Sequence, residues 1–413
     1  MALQGMFGIA TFVCLAWLIS ENRRRVSVRT VAVGIALQFS LALLLLKAPC
    51  VKNLFLMLNR VILALQESTW AGTALVFGYL GGGAAPFETK HPDAGFILAF
   101  RALPLVLLIS ALSSLLFYWK VLPVVVTGFS RILQRAMRIG GAEGLSNAAN
   151  IFMGMVEAPL FVRPYMPQLT RSELFSVMTC GLATIAGTVM VLYASILSKT
   201  LPDALGHILV ASVINAPAAI TIAKIMIPET KELTTGRLTA PEKAFSSMDA
   251  VNKGTVQGVT LMINIAAMLV VMIALVHLAN LILGILPDWG GEPVTLQRVL
   301  GCIMAPVVWL TGIPWKEAHV AGQLMGTKTI LNELVAYLDL SRIPQGSLSP
   351  PSVVIMTYAM CGFANPGSLG IMIGGLGTMV PERRGEIVEL GFRSIVSGTM
   401  ATLMTGAVVS ILL

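Results

Sequence analysis

The sequence predicts an all-α polytopic membrane protein, with eight transmembrane helices plus two re-entrant helical hairpins arranged as inverted repeats. Three observations lead there. Of the 413 residues, 56% are hydrophobic and only 12% are charged, against about 25% charged in soluble domains. So few charges cannot cover a water-facing surface. Apolar runs of spanning length recur along the chain, separated by short basic connections. Finally, one short phrase and one acid set among apolar neighbours each occur twice, in the two halves of the chain.

The same composition excludes other classes. The net charge of +8 could suggest a nucleic-acid partner, but the basic residues sit between apolar runs, where they orient spans. Cys14, Cys50, Cys180, Cys302 and Cys361 show no metal spacing and read as small buried hydrophobes. The scattered histidines offer no metal cluster. No paired-aspartate motif, Ser/His constellation or Gly-rich phosphate loop points to an enzyme.

Residues 3–20 form the first expected span. They lack a basic n-region and a cleavage site, and Arg23, Arg24 and Arg25 follow at once, so a retained span is expected rather than a signal peptide. Further spans are expected at 30–47, 94–118, 172–197, 204–226, 256–286, 351–378 and 387–412. The stretch 48–84, interrupted by Lys52, Arg60, Glu67 and Gly81-Gly82-Gly83, reads as amphipathic or interfacial helices. Eight spans place every basic cluster on the cytoplasmic face, and both termini on the extracytoplasmic side.

Residues 121–168 and 298–343 are apolar but broken by glycine, proline and polar residues. Each is expected to enter the membrane and return, because irregular backbone survives at that depth only when buried or lining a cavity. The first holds Gly154-Met155-Val156-Glu157 and the second Leu331-Asn332-Glu333-Leu334. A span with a repeated phrase follows each: Cys180-Gly181-Leu182-Ala183-Thr184, then Cys361-Gly362-Phe363-Ala364-Asn365. The interval from Cys180 to Cys361 nearly matches that from Glu157 to Glu333, so hairpin, acid and phrase recur almost in register. Matching broken segments in inverted repeats point to the midplane site of a secondary transporter.

Gly187 and Pro366-Gly367 weaken the helical ladder just after each phrase. Unwound carbonyls with Asn150 and Thr184 would supply the oxygen ligands a hard cation requires. Glu157 and Glu333 are costly in a bilayer, by about 2.5–3.5 kcal/mol or more at its centre, unless they bind something. Plainer readings stand beside these: the acids as structural hydrogen-bond partners, the phrase as close helix packing, Arg101 as a snorkelling charge, and His207, His277 and His319 as packing or capping residues.

At these residues the sequence resembles the concentrative nucleoside transporter family, in its bacterial members. The resemblance rests on 22–30, 96–104, Ser146-Asn147-Ala148-Ala149-Asn150, Glu157-Ala158-Pro159, Asn332-Glu333 with Val335-Ala336-Tyr337, and Cys361-Gly362-Phe363-Ala364-Asn365. It implies a sodium-coupled nucleoside symporter of the inner membrane. It also implies a homotrimer in which a transport domain moves like an elevator against a scaffold domain. The chain would divide into 1–118 (mostly scaffold), 119–227 (first repeat), 228–297 (loop and long scaffold helix) and 298–413 (second repeat).

By the same resemblance, sodium would be held by Asn150, Met153, Thr184 and Ile185. The nucleoside would be held by Gly154, Met155, Val156, Glu157, Val189, Glu333, Phe363, Asn365 and Ser368, with Glu333, Asn365 and Ser368 on the ribose. One departure stands out. The family's usual phrase before the first acid is Gly-Gln-Thr-Glu, whereas this chain has Gly154-Met155-Val156-Glu157. An apolar wall discriminates by shape, so a relaxed or purine-leaning base preference is expected. A proton-coupled transporter of the same fold and a channel remain the rival readings.

Overall fold

The computed structural model describes residues 1–47, 49–87, 97–198, 200–236, 244–288, 291, 293–344 and 346–413. Among these there is no β-strand, and the regular structure is helical. The chain opens with α1 (Ala2–Leu18), α2 (Val28–Lys47), α3 (Pro49–Phe77) and the single turn α4 (Leu98–Arg101). Two matching sets follow. The first is α5 (Leu105–Tyr118), α6 (Val121–Met137), α7 (Gly141–Asn150), α8 (Glu157–Leu160), α9 (Arg171–Ala183), α10 (Gly187–Leu197) and α11 (Ala204–Met226). The second is α12 (Ser247–Leu283), α13 (Leu296–Trp309), α14 (Trp315–Ile330), α15 (Glu333–Arg342), α16 (Pro350–Met360), α17 (Pro366–Met379) and α18 (Arg384–Leu412).

Element order and packing repeat together. α6 packs on α7 as α13 packs on α14, α9 on α11 as α16 on α18, and α10 on α11 as α17 on α18. The opening helices of the sets, α5 and α12, pack on one another, and so do the closing helices, α11 and α18. α11 is buried along nearly its whole length, and α9 and α16 are almost as enclosed. α1 and α2 pack against α11 and α18. α12 keeps an outward apolar face that includes Val270, Val271, Leu275 and Leu278. A core of small and branched side chains with a greasy exterior is what a chain solvated by lipid requires.

Close approach depends on glycine where helices cross. A Cβ at Gly254 would lie 2.5 Å from the Ser110 carbonyl oxygen, and one at Gly258 would lie 3.0 Å from Leu107 Cα. These two residues, four apart on α12, seat it on α5. At the buried end of α11, Lys224 Nζ pairs with Glu143 on α7 at 3.0 Å and with Glu229 at 3.3 Å. That pair ties the first helix–turn–helix element to α11. α9 begins with a capping box formed by Thr170 and Glu173.

Among the described residues, six helical stretches are by themselves long and apolar enough to cross a bilayer: Val28–Lys47, Leu98–Tyr118, Arg171–Leu197, Ala204–Met226, Ser247–Leu283 and Pro381–Leu412. Three expected spans look different. α1 has 17 residues, the span expected at 172–197 is broken into α9 and α10, of 13 and 11 residues, and the span expected at 351–378 is split into α16 and α17, of 11 and 14 residues. The stretch expected to hold interfacial pieces is one helix, α3, of 29 residues. Its charged residues lie within that helix, and the triple glycine falls beyond its end. Each segment expected as a hairpin also contains an additional helix, α6 or α13, ahead of the helix–turn–helix pair.

Of the cysteines, Cys180 and Cys361 are buried as expected, but Cys14 and Cys302 are exposed on α1 and α13. Exposure in an apolar environment costs a thiol little. The side chain of Cys50, the start of the third expected span at 94–96, and 237–243 of the loop expected on the cytoplasmic face lie outside the described residues.

Candidate functional site

Both broken helices open at the centre of the protein. The α9/α10 break spans Thr184, Ile185 and Ala186, and the α16/α17 break runs from Cys361 to Asn365. One side chain joins them. Asn215, buried on α11, donates to the Ala183 carbonyl at 2.7 Å and to the Cys361 carbonyl at 2.7 Å, satisfying two acceptors that a helix break leaves without partners. Replacing Asn215 with leucine would strand both carbonyls at about 1–3 kcal/mol each. A lower thermal unfolding midpoint in detergent is the expected outcome, and an unchanged midpoint would refute this role.

The glycines of the repeated phrase permit close packing. A Cβ at Gly181 would sit 3.1 Å from Met155 Cβ, and one at Gly362 would sit 2.9 Å from the carbonyl oxygens of both Leu182 and Ala183. Small residues therefore let one broken helix rest on the turn after α7 and the other rest on the first. These contacts are the close helix packing of the plainer reading.

Three helix N-termini converge on a cavity of about 500 Å³, within the range of small-molecule sites. They belong to α8, α15 and α17, and they begin with Glu157, Glu333 and Pro366. Glu333 Oε1 accepts from the Tyr193 hydroxyl at 2.6 Å, and Oε2 accepts from Asn365 Nδ2 at 3.2 Å. Asn365 also caps α17, its Oδ1 accepting from Ser368 N at 2.8 Å. Lys328 is wholly buried on α14, the helix that precedes Glu333. Glu157 is open to the cavity, its carboxylate folded towards Gly154.

All nine residues expected to touch the nucleoside line this cavity: Gly154, Met155, Val156, Glu157, Val189, Glu333, Phe363, Asn365 and Ser368. Val156 packs where Gly375 of α17 has no side chain. Sequence reasoning missed Tyr193 and the α12 side chains that line the cavity, among them Gln257, Thr260 and Asn264. Tyr193 carries no local signal, since its role depends on a residue 140 positions away. The polar residues of α12 were a usable signal, because an uncharged amide within so apolar a helix calls for a partner.

The residues expected to hold sodium also meet. Asn150 ends α7, with its side chain buried and both polar atoms without a hydrogen-bond partner among the described residues. The Thr184 hydroxyl lies 3.3 Å from the Asn150 carbonyl oxygen and donates to Cys180 O at 2.9 Å. Gly187 N donates to Phe152 O at 3.1 Å, tying the turn to the break; a Cβ at Gly187 would fall 2.5 Å from that oxygen. Met153 follows on the same turn, and Ile185 is held by Ser212 through its amide at 3.2 Å. These donors are neutral oxygens, which suit a hard monovalent cation. Among the described residues no group of three or more His, Cys, Asp or Glu could hold a metal ion.

Comparison with known proteins shows the family. Family models described as Na+ dependent nucleoside transporter N-terminus and C-terminus match residues 7–80 and 207–410, and one described as nucleoside recognition matches 99–200. An uncharacterized transporter of Haemophilus influenzae is 36% identical over 98% of this chain and 96% of its own. The nucleoside permease NupC of Helicobacter pylori is 31% identical over 98% and 97%. Human solute carrier family 28 member 3 is 34% identical over 98% of this chain and 59% of its own length. The structure of CNTnw in an inward-facing substrate-bound state superposes with a TM-score of 0.90, at 34% identity and covering 100% of this chain and 98% of that one. A cavity walled by two broken helices and lined by two carboxylates, on a fold shared from end to end with these proteins, belongs to a transporter rather than an enzyme, and the chain is a member of the concentrative nucleoside transporter family.

Proposed function

We propose that this protein imports nucleosides by symport with sodium across a bacterial inner membrane. One observation supports the coupling: a single turn, between α7 and α8, carries residues proposed for both ligands. Asn150 stands at its start with an unsatisfied buried amide, and Gly154 to Glu157 stand at its end in the cavity wall. A cation held by Asn150, Met153, Thr184 and Ile185 would supply positive charge there and bring the Asn150 amide oxygen to a ligand. The turn would then be fixed against the α9/α10 break, presenting Glu157 and its neighbours in one arrangement. Ordering the turn once lowers the cost for the second ligand, so each ligand raises the affinity for the other.

On the ribose side, Glu333, Asn365 and Ser368 form a polar group around the α17 N-terminus. A carboxylate with two lone-pair sites per oxygen can accept from vicinal hydroxyls. Phe363 and Val189 supply apolar faces for the sugar and base. Met155 and Val156 replace the hydrogen-bonding pair usual in the family, which favours selection of the base by shape. Restoring polarity with Met155→Gln and Val156→Thr is expected to move the adenosine-to-uridine uptake ratio towards uridine. A ratio that stays put would sink this assignment.

The protein would cross the membrane eight times, with α9/α10 and α16/α17 each forming a broken span and α1 a short one, and would carry two re-entrant hairpins at α7/α8 and α14/α15. Both termini would be extracytoplasmic. Residues 1–118 would form most of the scaffold, joined by α12 packed on α5, and the site-bearing repeats would move along it as an elevator. The outward apolar face of α12 suits packing in a homotrimer. Labelled adenosine uptake into proteoliposomes, with sodium or choline outside at fixed pH, tests the coupling. Accumulation dependent on pH and indifferent to sodium would move the assignment to proton symport through Glu157 and Glu333. Flux that never concentrates the solute would make the protein a channel.

A further inference from the structure

α12 has two working faces. Gly254 and Gly258 seat it on α5. A different face, carrying Gln257, Thr260 and Asn264, lines the cavity. The side chains of Gln257 and Asn264 are exposed and make no hydrogen bond among the described residues. Both sit in a helix otherwise apolar enough to span a bilayer, where an unpartnered amide is expensive. Structural need does not account for them, because neither α5 packing nor any cap uses them.

Their position along the helix gives the direction. Met268, the last α12 residue on the cavity wall, lies with its Cε 3.0 Å from where a Gly367 Cβ would be. Gly367 adjoins Asn365 and Ser368, so Met268 marks the ribose end. At 1.5 Å per residue, Asn264 lies about 6 Å further along and Gln257 about 16 Å. Asn264 is therefore abreast of a base attached to a ribose seated at Glu333, and Gln257 is beyond it. Met155 and Val156, which also line the cavity, offer the base no hydrogen bond.

Resting on the nucleoside-transport reading above, we infer that Asn264 of α12 reads the polar edge of a purine base. A carboxamide presents a donor and an acceptor side by side. That pair matches the N6 amino group and N7 of adenine in a bidentate arrangement. Base selection thus passes from the moving turn, where this chain has apolar side chains, to α12.

The experiment compares the KM for adenosine with that for 7-deazaadenosine, which lacks the N7 acceptor, in proteoliposomes with an inward sodium gradient. The wild-type protein should take 7-deazaadenosine with a KM about tenfold higher. Asn264→Leu should bring the two KM values together, Asn264→Gln should restore part of the difference, and Gln257→Leu should leave the ratio near wild type. The ratio is the readout, so a general loss of activity does not mimic the result. Equal KM values in the wild-type protein, or an Asn264→Leu ratio that remains tenfold, would overturn the inference while leaving nucleoside transport intact. Failure to accumulate any nucleoside would overturn both.

Discussion

Replacing Glu333 with alanine is expected to raise the KM for adenosine by at least about 100-fold. The carboxylate accepts from Tyr193 and Asn365 in a pocket where it is almost wholly buried, so it is held in place before any solute arrives. Two ribose hydroxyls donating to it would each contribute about 1.5–3 kcal/mol, the range for hydrogen bonds to a charged group. Together that is a factor of about 10² to 10⁴. Two controls separate this from general damage. Glu333→Gln keeps the shape and one acceptor, and should fall between wild type and alanine. A 2′,3′-dideoxy nucleoside should be discriminated against strongly by the wild type and hardly at all by Glu333→Ala. Equal discrimination in both proteins would remove Glu333 from the ribose site.

The second large effect concerns the cation. Thr184→Val keeps the volume and branching of the side chain but removes its hydroxyl oxygen, and Asn150→Leu removes the unsatisfied amide. Each should raise the sodium concentration giving half-maximal uptake by about 10- to 100-fold, the effect of losing about 1.4–2.8 kcal/mol of ligand interaction. Thr184→Ser should remain close to wild type because the oxygen survives. Because coupling is reciprocal, the adenosine KM of Thr184→Val should approach the sodium-free wild-type value. A half-saturating sodium concentration that does not move in either variant would place the cation elsewhere.

These expectations come from residues far apart in sequence, and the degree to which they were legible differs for a physical reason in each case. Spans such as α2, α11 and α18 were readable because lipid solvation forces a long unbroken apolar run. The acids Glu157 and Glu333 were readable because charge in such surroundings is conspicuous. The additional helices α6 and α13 were folded into the expected hairpins, since glycine and proline in an apolar stretch do not distinguish a helix lying beside a hairpin from one of its arms. α3 was expected in pieces because Lys52, Arg60 and Glu67 interrupt its hydropathy, yet exposed charges such as Arg60 and Glu67 leave a helical backbone intact.

At the site, the two halves of the repeated phrase announced the broken helices, and all nine expected substrate residues came to one cavity. Asn215 was invisible because its importance lies in reaching two breaks at once. Tyr193 was hidden in the same way by its dependence on Glu333. The amides of α12 were overlooked because the helix was read as a span and not as a wall.

The most direct test of the account is the adenosine KM measured in proteoliposomes as external sodium is varied at fixed pH, with choline replacing it. The shared turn between Asn150 and Glu157 predicts that the KM falls steadily as sodium rises and that adenosine accumulates above its external concentration only with an inward sodium gradient. A KM and an accumulation ratio that are the same in sodium and in choline would contradict it.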